Sequence, residues 1–469
     1  MTERAVSSRR MGARLPDAAS TLGKTGRRVS PVGFGTYRVD DRVALHRAAL
    51  EAALEAGVSL IDTSTNYGDG HSESLVGDVF ASLPAAAREH VFVVTKAGYI
   101  QGGNLTRASL REEQGRPYPE VVKLGRDLWH AISPEFLRDQ LGESLERLRL
   151  TRVDALLLHN PEYFLESAHR RGVPLEEARG AFYERVSRAF EALEDEVAAR
   201  RIGAYGVSSN TFVVPRERAD AVDLGRVLAA SGPGFSVIQL PMNPLELGAL
   251  QKAHTEDGRS VLDVAKEADL GVLVNRPLNA IVKSGLVRFA SPRLPFTPPA
   301  ARGDPFAELD ELEAEFARSW GRRLQAAEGA PSIPDLLALA EILREVKTGV
   351  SDLATFSEIW EGHVAPRLTQ LLPQLSELFA KDPAFARFAD RFSSAALRAG
   401  ALAAEPSLAS TGRRVGELEA AVKQAFGDTG AGTISQRTVR GLAATPGVDC
   451  VLVGMRRPEY VQDVVEAFA

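Results

Sequence analysis

Residues 42–63, RVALHRAALEAALEAGVSLIDT, hold the unit on which the fold is read. The apolar residues recur at helical spacing up to Gly57, which is placed to cap the helix C-terminus. VSLIDT, residues 58–63, then reads as a buried strand. Working outward, the same unit returns. VGFGTY (32–37) precedes it as a short apolar strand, and the helical SESLVGDVFASL is followed by HVFVVTK (90–96). PEFLRDQLGESLERLRL leads to RVDALLLH (152–159), and FYERVSRAFEALEDEVAARR to IGAYGVSS (202–209). ADAVDLGRVLAAS precedes FSVIQL (235–240), RSVLDVAKEADL precedes GVLVNR (271–276), and QRTVRGLAAT precedes DCVLVG (449–454).

These strands are near-continuous apolar runs, the pattern of strands covered on both faces in a parallel sheet wrapped by helices. Eight such units close into a (β/α)8 TIM barrel. The rival, a doubly wound open sheet, wants a glycine-rich phosphate loop after its first strand. GFGTYR lacks that spacing. The rhythm breaks between Ala280 and Gly430, where the patterns are helical and no strand is read. A stretch this long is not a structureless loop. The expected organisation is a flexible tail over 1–20, a barrel over 21–280 and 431–469, and an inserted all-helical subdomain over 281–430. Smaller insertions at 98–132 and 160–180 also follow strands, on the face where barrel enzymes build their sites.

The totals exclude several classes. A net charge of −6 gives no electrostatic footprint for nucleic acid. No window approaches the roughly 20 apolar residues of a membrane helix. The chain has one cysteine, Cys450, so it forms no internal disulfide. The N-terminal stretch has no apolar centre and is not a secretory signal. A cytoplasmic location is expected. GKTG at 23–26 reads as a hairpin turn rather than a P-loop. His71 and Glu73 lack further ligands, so no metal is expected. Cys450, in an apolar strand, is expected as a packed thiol.

Four residues stand where a barrel site forms, at or just beyond the C-terminal ends of strands: Asp62, Tyr67, Lys96 and His159. Reducing a carbonyl requires a hydride donor, a proton donor and something that holds both. Proteins have no side chain that gives hydride, so a cofactor is implied. An unperturbed tyrosine, with a pKa near 10, is a poor acid. An adjacent ammonium lowers that value. Lys96 supplies such a charge, Asp62 pairs with Lys96, and His159 orients the carbonyl oxygen.

The segments resemble the aldo-keto reductase superfamily along nearly the whole barrel. The matching pieces are LGKTGRRVSPVGFGTYR, IDTSTNY, HSESLVG, VTK, LLLH, GVSSN and the late VLVG-x-R. The resemblance implies the family tetrad on Asp62, Tyr67, Lys96 and His159, and NADP(H), less often NAD(H), across the barrel mouth. It places cofactor contacts at Gly35, Thr36, Tyr37 and Asp62, and at Gln239. The family's Ser-Asn pair, which holds the nicotinamide amide, falls on Ser208-Ser209-Asn210, with the register of the asparagine role open. Where the family carries a ring-stacking tyrosine, this chain has Asn275-Arg276-Pro277-Leu278, with Arg276 a candidate for the pyrophosphate. Gly454, Met455 and Arg456 resemble the loop that meets the adenosine 2′-phosphate, a dianion suited to arginine's paired donors. Tyr460 and Asp463 follow it, Asp463-Val464 standing where the family has Glu-Asn. The function implied is reduction of an aldehyde or ketone to an alcohol, or the reverse, with Tyr67 as general acid. A second reading is a nicotinamide-bound sensing module whose helical insertion recruits a protein partner, as in channel beta subunits of the same superfamily.

Overall fold

The computed structural model describes residues 13–16, 20–252, 255, 258–282, 285–290, 294–321, 324 and 336–469. The tail expected over 1–20 lies largely outside them. Eight parallel strands close a barrel in chain order: β1 (Val32–Gly35), β2 (Leu60–Asp62), β3 (Phe92–Ala97), β4 (Val153–His159), β5 (Ile202–Ser208), β6 (Phe235–Pro241), β7 (Gly271–Asn275) and β8 (Cys450–Val453). A helix follows each strand: α1 (Ala44–Glu55), α2 (His71–Ser82), α3 (Pro134–Leu148), α4 (Leu175–Ala198), α5 (Leu224–Ala229), α6 (Val261–Glu267), α7 (Ile434–Ala443) and α8 (Pro458–Val465). The apolar runs read from the sequence are these strands.

Local chemistry sets the element ends. Ser260 with Asp263, and Thr433 with Gln436, form reciprocal capping boxes that open α6 and α7. Pro134 begins α3 where its missing N–H is no loss. Gly206 lets two strands approach: a Cβ there would lie 1.6 Å from the Val237 carbonyl oxygen, at a register shift in the β5–β6 ladder.

The two strand faces make two cores. Outward residues such as Phe34, Ile61, Leu156, Leu158 and Ile238 pack under the helices. Inward residues Leu60, Phe92, Val94, Leu157, Val237, Leu273 and Leu452 form a second buried cluster with Cys450, Leu22 and Val29. Leu22 and Val29 come from a small hairpin, Ser20–Thr21 against Arg28–Val29, turning through Gly23–Thr25, so GKTG is the turn expected. Truncating an interior leucine such as Leu157 to alanine costs about 2–5 kcal/mol.

Two segments depart from the sequence reading. The 98–132 insertion holds a helix, Gly102–Glu113, and a three-stranded antiparallel sheet made of Tyr99–Ile100, Trp129–His130 and Val122–Lys123. The boundary expected at 281 falls inside an antiparallel hairpin, Asn279–Val282 with Gly285–Arg288. The chain divides into one unit running to Ala290 and resuming at Ala421–Ala469, and another over Ser291–Ala420. Within the latter, every regular element among the described residues is a helix. Its core is aromatic, with Phe316, Trp320, Phe356, Trp360, Phe385, Phe388 and Phe392 buried together. Among the described residues no helix is long and apolar enough to cross a membrane.

Candidate active site

The tetrad residues meet at the C-terminal ends of β2, β3 and β4. Lys96 sits on β3 with its side chain fully buried. Its ammonium donates to Asp62 Oδ2 at 2.9 Å, to the Thr63 carbonyl at 2.8 Å and to Tyr67 Oη at 3.2 Å. A buried ammonium is tolerated only when its protons are met and its charge paired, and both conditions hold here. Burial disfavours the charged form of Lys96, but Asp62 and Tyr67 outweigh it and hold the pKa above the usual lysine value. Lys96 is therefore a permanent cation beside Tyr67.

Tyr67 corrects one expectation. Lys96 does pull its pKa down, yet burial pushes harder, and Asp62 adds to it, so the phenol lies above the ordinary value of 10. The physical reason is desolvation, which the sequence does not display. Tyr67 is thus protonated at neutral pH.

The loop after β2 is built to aim that phenol. Asp69 adopts φ 56° and Gly70 φ 92°, the left-handed region. The Asp69 carboxylate accepts the Gly103 N–H at 3.0 Å, and Asn66 Nδ2 donates to Gln101 Oε1 at 3.2 Å. These bonds tie the Tyr67 loop to the first insertion.

His159 ends β4, its ring centroid 5.9 Å from that of Tyr67. Burial, then the Lys96 and His130 charges, hold its pKa well below 6.5, so it is neutral. Its Nδ1 meets Ser64 Oγ at 3.0 Å, which leaves Nε2 as the ring nitrogen free to meet a substrate oxygen. His130 Nε2 donates to the His159 carbonyl at 2.8 Å. Tyr99 lies 4.6 Å from the His159 ring, centroid to centroid, and its hydroxyl bonds Asn160 and Tyr163. Tyr37, 64% exposed, meets the Tyr67 ring edge-on at 5.3 Å.

A chain of amides extends the site across the barrel. Gln239 Nε2 donates to Asp62 Oδ1 at 2.7 Å, and Gln239 Oε1 accepts from Ser208 at 3.0 Å and Asn275 at 3.2 Å. Asn275 Oδ1 is buried and has no hydrogen-bond partner.

The remaining expected residues are distributed as follows. Thr36 is buried and bonds the Asp62 carbonyl through both its N–H and its hydroxyl at 3.0 Å. Gly35 ends β1 beside Asp62. Arg276, at φ 52°, pairs with Glu246 at 3.1 Å, so its charge is already engaged. Pro277 is buried and Leu278 packs on the outer core. Gly454 is exposed, Met455 buried, Arg456 partly buried and Tyr460 partly exposed beyond β8. Asp463 accepts from Thr433, Ser435 and Gln436, and so anchors the start of α7. Glu73 is buried against Thr95 and Arg147. His71 pairs with Asp41 at 2.8 Å.

Ser64, Tyr99, His130 and Glu162 were not singled out from the sequence. Ser64 lies inside IDTSTNY and was within reach of a closer reading. The others depend on contacts between distant loops.

A parallel eight-stranded barrel carrying a buried Asp–Lys–Tyr group and a neutral histidine at its mouth defines the class of site. Residues 31–326 match the model of the Aldo/keto reductase family, and the chain belongs to that family. A 6-dehydroglucose reductase of Novosphingobium aromaticivorans is 29% identical over 250 residues, which is 51% of this chain and 66% of that protein. An NADH-specific methylglyoxal reductase of Escherichia coli is 32% identical over 146 residues, 29% of this chain and 40% of that protein. A D-threo-aldose 1-dehydrogenase of a Pseudomonas species is 31% identical over 183 residues, 39% of this chain and 49% of that protein. The chain thus spans between 40% and 66% of the length of these curated relatives.

Proposed function

We propose that the protein is an NADP(H)-dependent oxidoreductase that interconverts an aldehyde or ketone with its alcohol, with Tyr67 as the general acid. The observation that carries this reading is the ammonium of Lys96, 3.2 Å from Tyr67 Oη and held in place by Asp62. The curated relatives, named as reductases and dehydrogenases, support it.

The residues at the mouth fit a nicotinamide. Asn275 Oδ1, buried without a donor, stands where the family resemblance implies a ring-stacking tyrosine, and it suits an amide N–H. Ser208, Ser209 and Asn210 would hold the carboxamide, and Arg456 the 2′-phosphate. Bound there, the cofactor supplies or accepts the hydride. The chain's own residues do the rest. Tyr67 Oη and His159 Nε2 hold the substrate oxygen between them. As negative charge builds on that oxygen, Tyr67 delivers its proton. Lys96 stabilises the phenolate left behind, which offsets the burial that makes Tyr67 a weak acid. Asp62, itself held by Gln239, fixes Lys96 throughout. In the reverse direction the phenolate takes the proton back.

The test is consumption of NADPH by the purified protein with hydroxylated aldehydes and ketones, methylglyoxal and simple aldehydes. Turnover with any of them supports the reading. Cofactor binding without turnover on the whole panel would favour the sensing-module alternative.

A further inference from the structure

The barrel mouth carries a buried carboxyl that the proposed reaction leaves unused. Glu162 follows β4 in the run His159-Asn160-Pro161-Glu162 and precedes the short helix Tyr163–Arg170. It occupies that helix's N-cap position, yet its side chain makes no capping bond. Capping therefore does not account for its burial, at 5% exposure. Instead it reaches the loop after β5. Its Oε1 accepts the backbone N–H of Asn210 at 2.9 Å, and Oε2 is buried with no hydrogen-bond partner. The neighbouring Asn160 N–H donates to the Ser208 carbonyl at 2.8 Å, so the end of β4 grips the end of β5 at two points.

We propose that Glu162 is a positioning residue for nicotinamide binding: it holds the Ser209–Asn210 backbone so that Ser208, Ser209 and Asn210 face the carboxamide. The role rests on the cofactor reading given above. The grip depends on ionisation, because a carboxylate accepts an N–H more strongly than a neutral carboxyl does. Burial pushes the Glu162 carboxyl from 4.5 up to about 7, against the pull of its own backbone N–H and of the Asn210 amide. Asp220, on the segment before α5 and paired with Arg218, pushes it further up. Tyr163 on its own helix and Tyr99 from the inserted sheet also face it. Both have pKa values held above 10, so both are neutral around pH 7. Near neutrality Glu162 is thus the group whose charge changes.

The experiment is NADPH binding, followed by cofactor fluorescence, from about pH 6 to about pH 8, for wild type, Glu162→Gln and Asp220→Asn. The cofactor's 2′-phosphate, with a second pKa of about 6, titrates alike in all three and cancels in their ratios. Wild-type affinity is expected to tighten with rising pH about fivefold more than that of Glu162→Gln, the difference between a charge-assisted and a neutral bond. Asp220→Asn, which removes a negative charge facing Glu162, is expected to move the wild-type step to lower pH. Parallel profiles for wild type and Glu162→Gln, or an unmoved step in Asp220→Asn, overturn the role. If circular dichroism shows Glu162→Gln unfolded, the Asp220→Asn step decides alone. Absence of NADPH binding by wild type at every pH overturns the cofactor reading itself and this role with it.

Discussion

Replacing Lys96 by methionine separates two things its ammonium does. It neutralises Asp62, and in the proposed reaction it stabilises the Tyr67 phenolate. The two residues are almost wholly buried, with side-chain exposures of 0% and 6%, and their charged atoms lie 2.8 Å apart. Removing one member of such a pair strands the other, at a cost of about 3–5 kcal/mol. Among the described residues, Asp62 would keep the 2.7 Å bond from Gln239 as its direct side-chain support. Removing both charges together is near neutral when the volume is kept. Lys96→Met should therefore destabilise the barrel by about 3–5 kcal/mol, while Lys96→Met with Asp62→Asn should recover most of that loss. Turnover should stay low in both, because no cation faces Tyr67 in either. The assay is denaturant-dependent hydrogen exchange of the β2 and β3 amides, beside NADPH turnover. Equal instability of the single and double variants would mean that the cost comes from lost packing rather than a stranded charge.

Other outcomes follow from the same geometry. Arg456→Ala should weaken NADPH binding by about tenfold or more while leaving NADH nearly unchanged, since an arginine–phosphate pair is worth upwards of ~1.4 kcal/mol; equal losses in a binding titration would remove the 2′-phosphate role. Burial holds His130 down at about 4 from 6.5, so the unfolded chain takes up that proton first. The contribution of His130 is complete above about 6.5 and is lost as pH falls toward 4, up to about 3 kcal/mol. His130→Gln, which keeps an N–H for the His159 carbonyl, should flatten that acid limb in urea denaturation series, and an unchanged limb would place the proton uptake elsewhere.

The legible part of the structure is the part written in short-range pattern. Runs such as ALLLH and FVVTK announce strands covered on both faces, and each of the eight runs became a barrel strand. The ends of three of these runs, and the loop beyond one of them, bring Asp62, Lys96, His159 and Tyr67 to one mouth. What stayed hidden depends on tertiary contact. The inserted strands at Tyr99–Ile100, Val122–Lys123 and Trp129–His130 are two residues each, too short to show an alternation. The direction of the Tyr67 shift is set by desolvation, which no local pattern encodes. The Arg276–Glu246 pair joins residues 30 positions apart in the chain, so no local pattern displays it. The bonds that Asp463 accepts from Thr433 and Ser435, 30 and 28 positions away in the chain, are hidden in the same way.

Whether Tyr67 donates the proton is decided by Tyr67→Phe. The substitution removes one oxygen and keeps the ring that packs between Tyr37 and His159. NADPH binding is expected to survive while turnover falls by about 10²–10⁴-fold, the usual worth of a positioned general acid. Turnover near the wild-type rate in a variant that binds NADPH normally would contradict it.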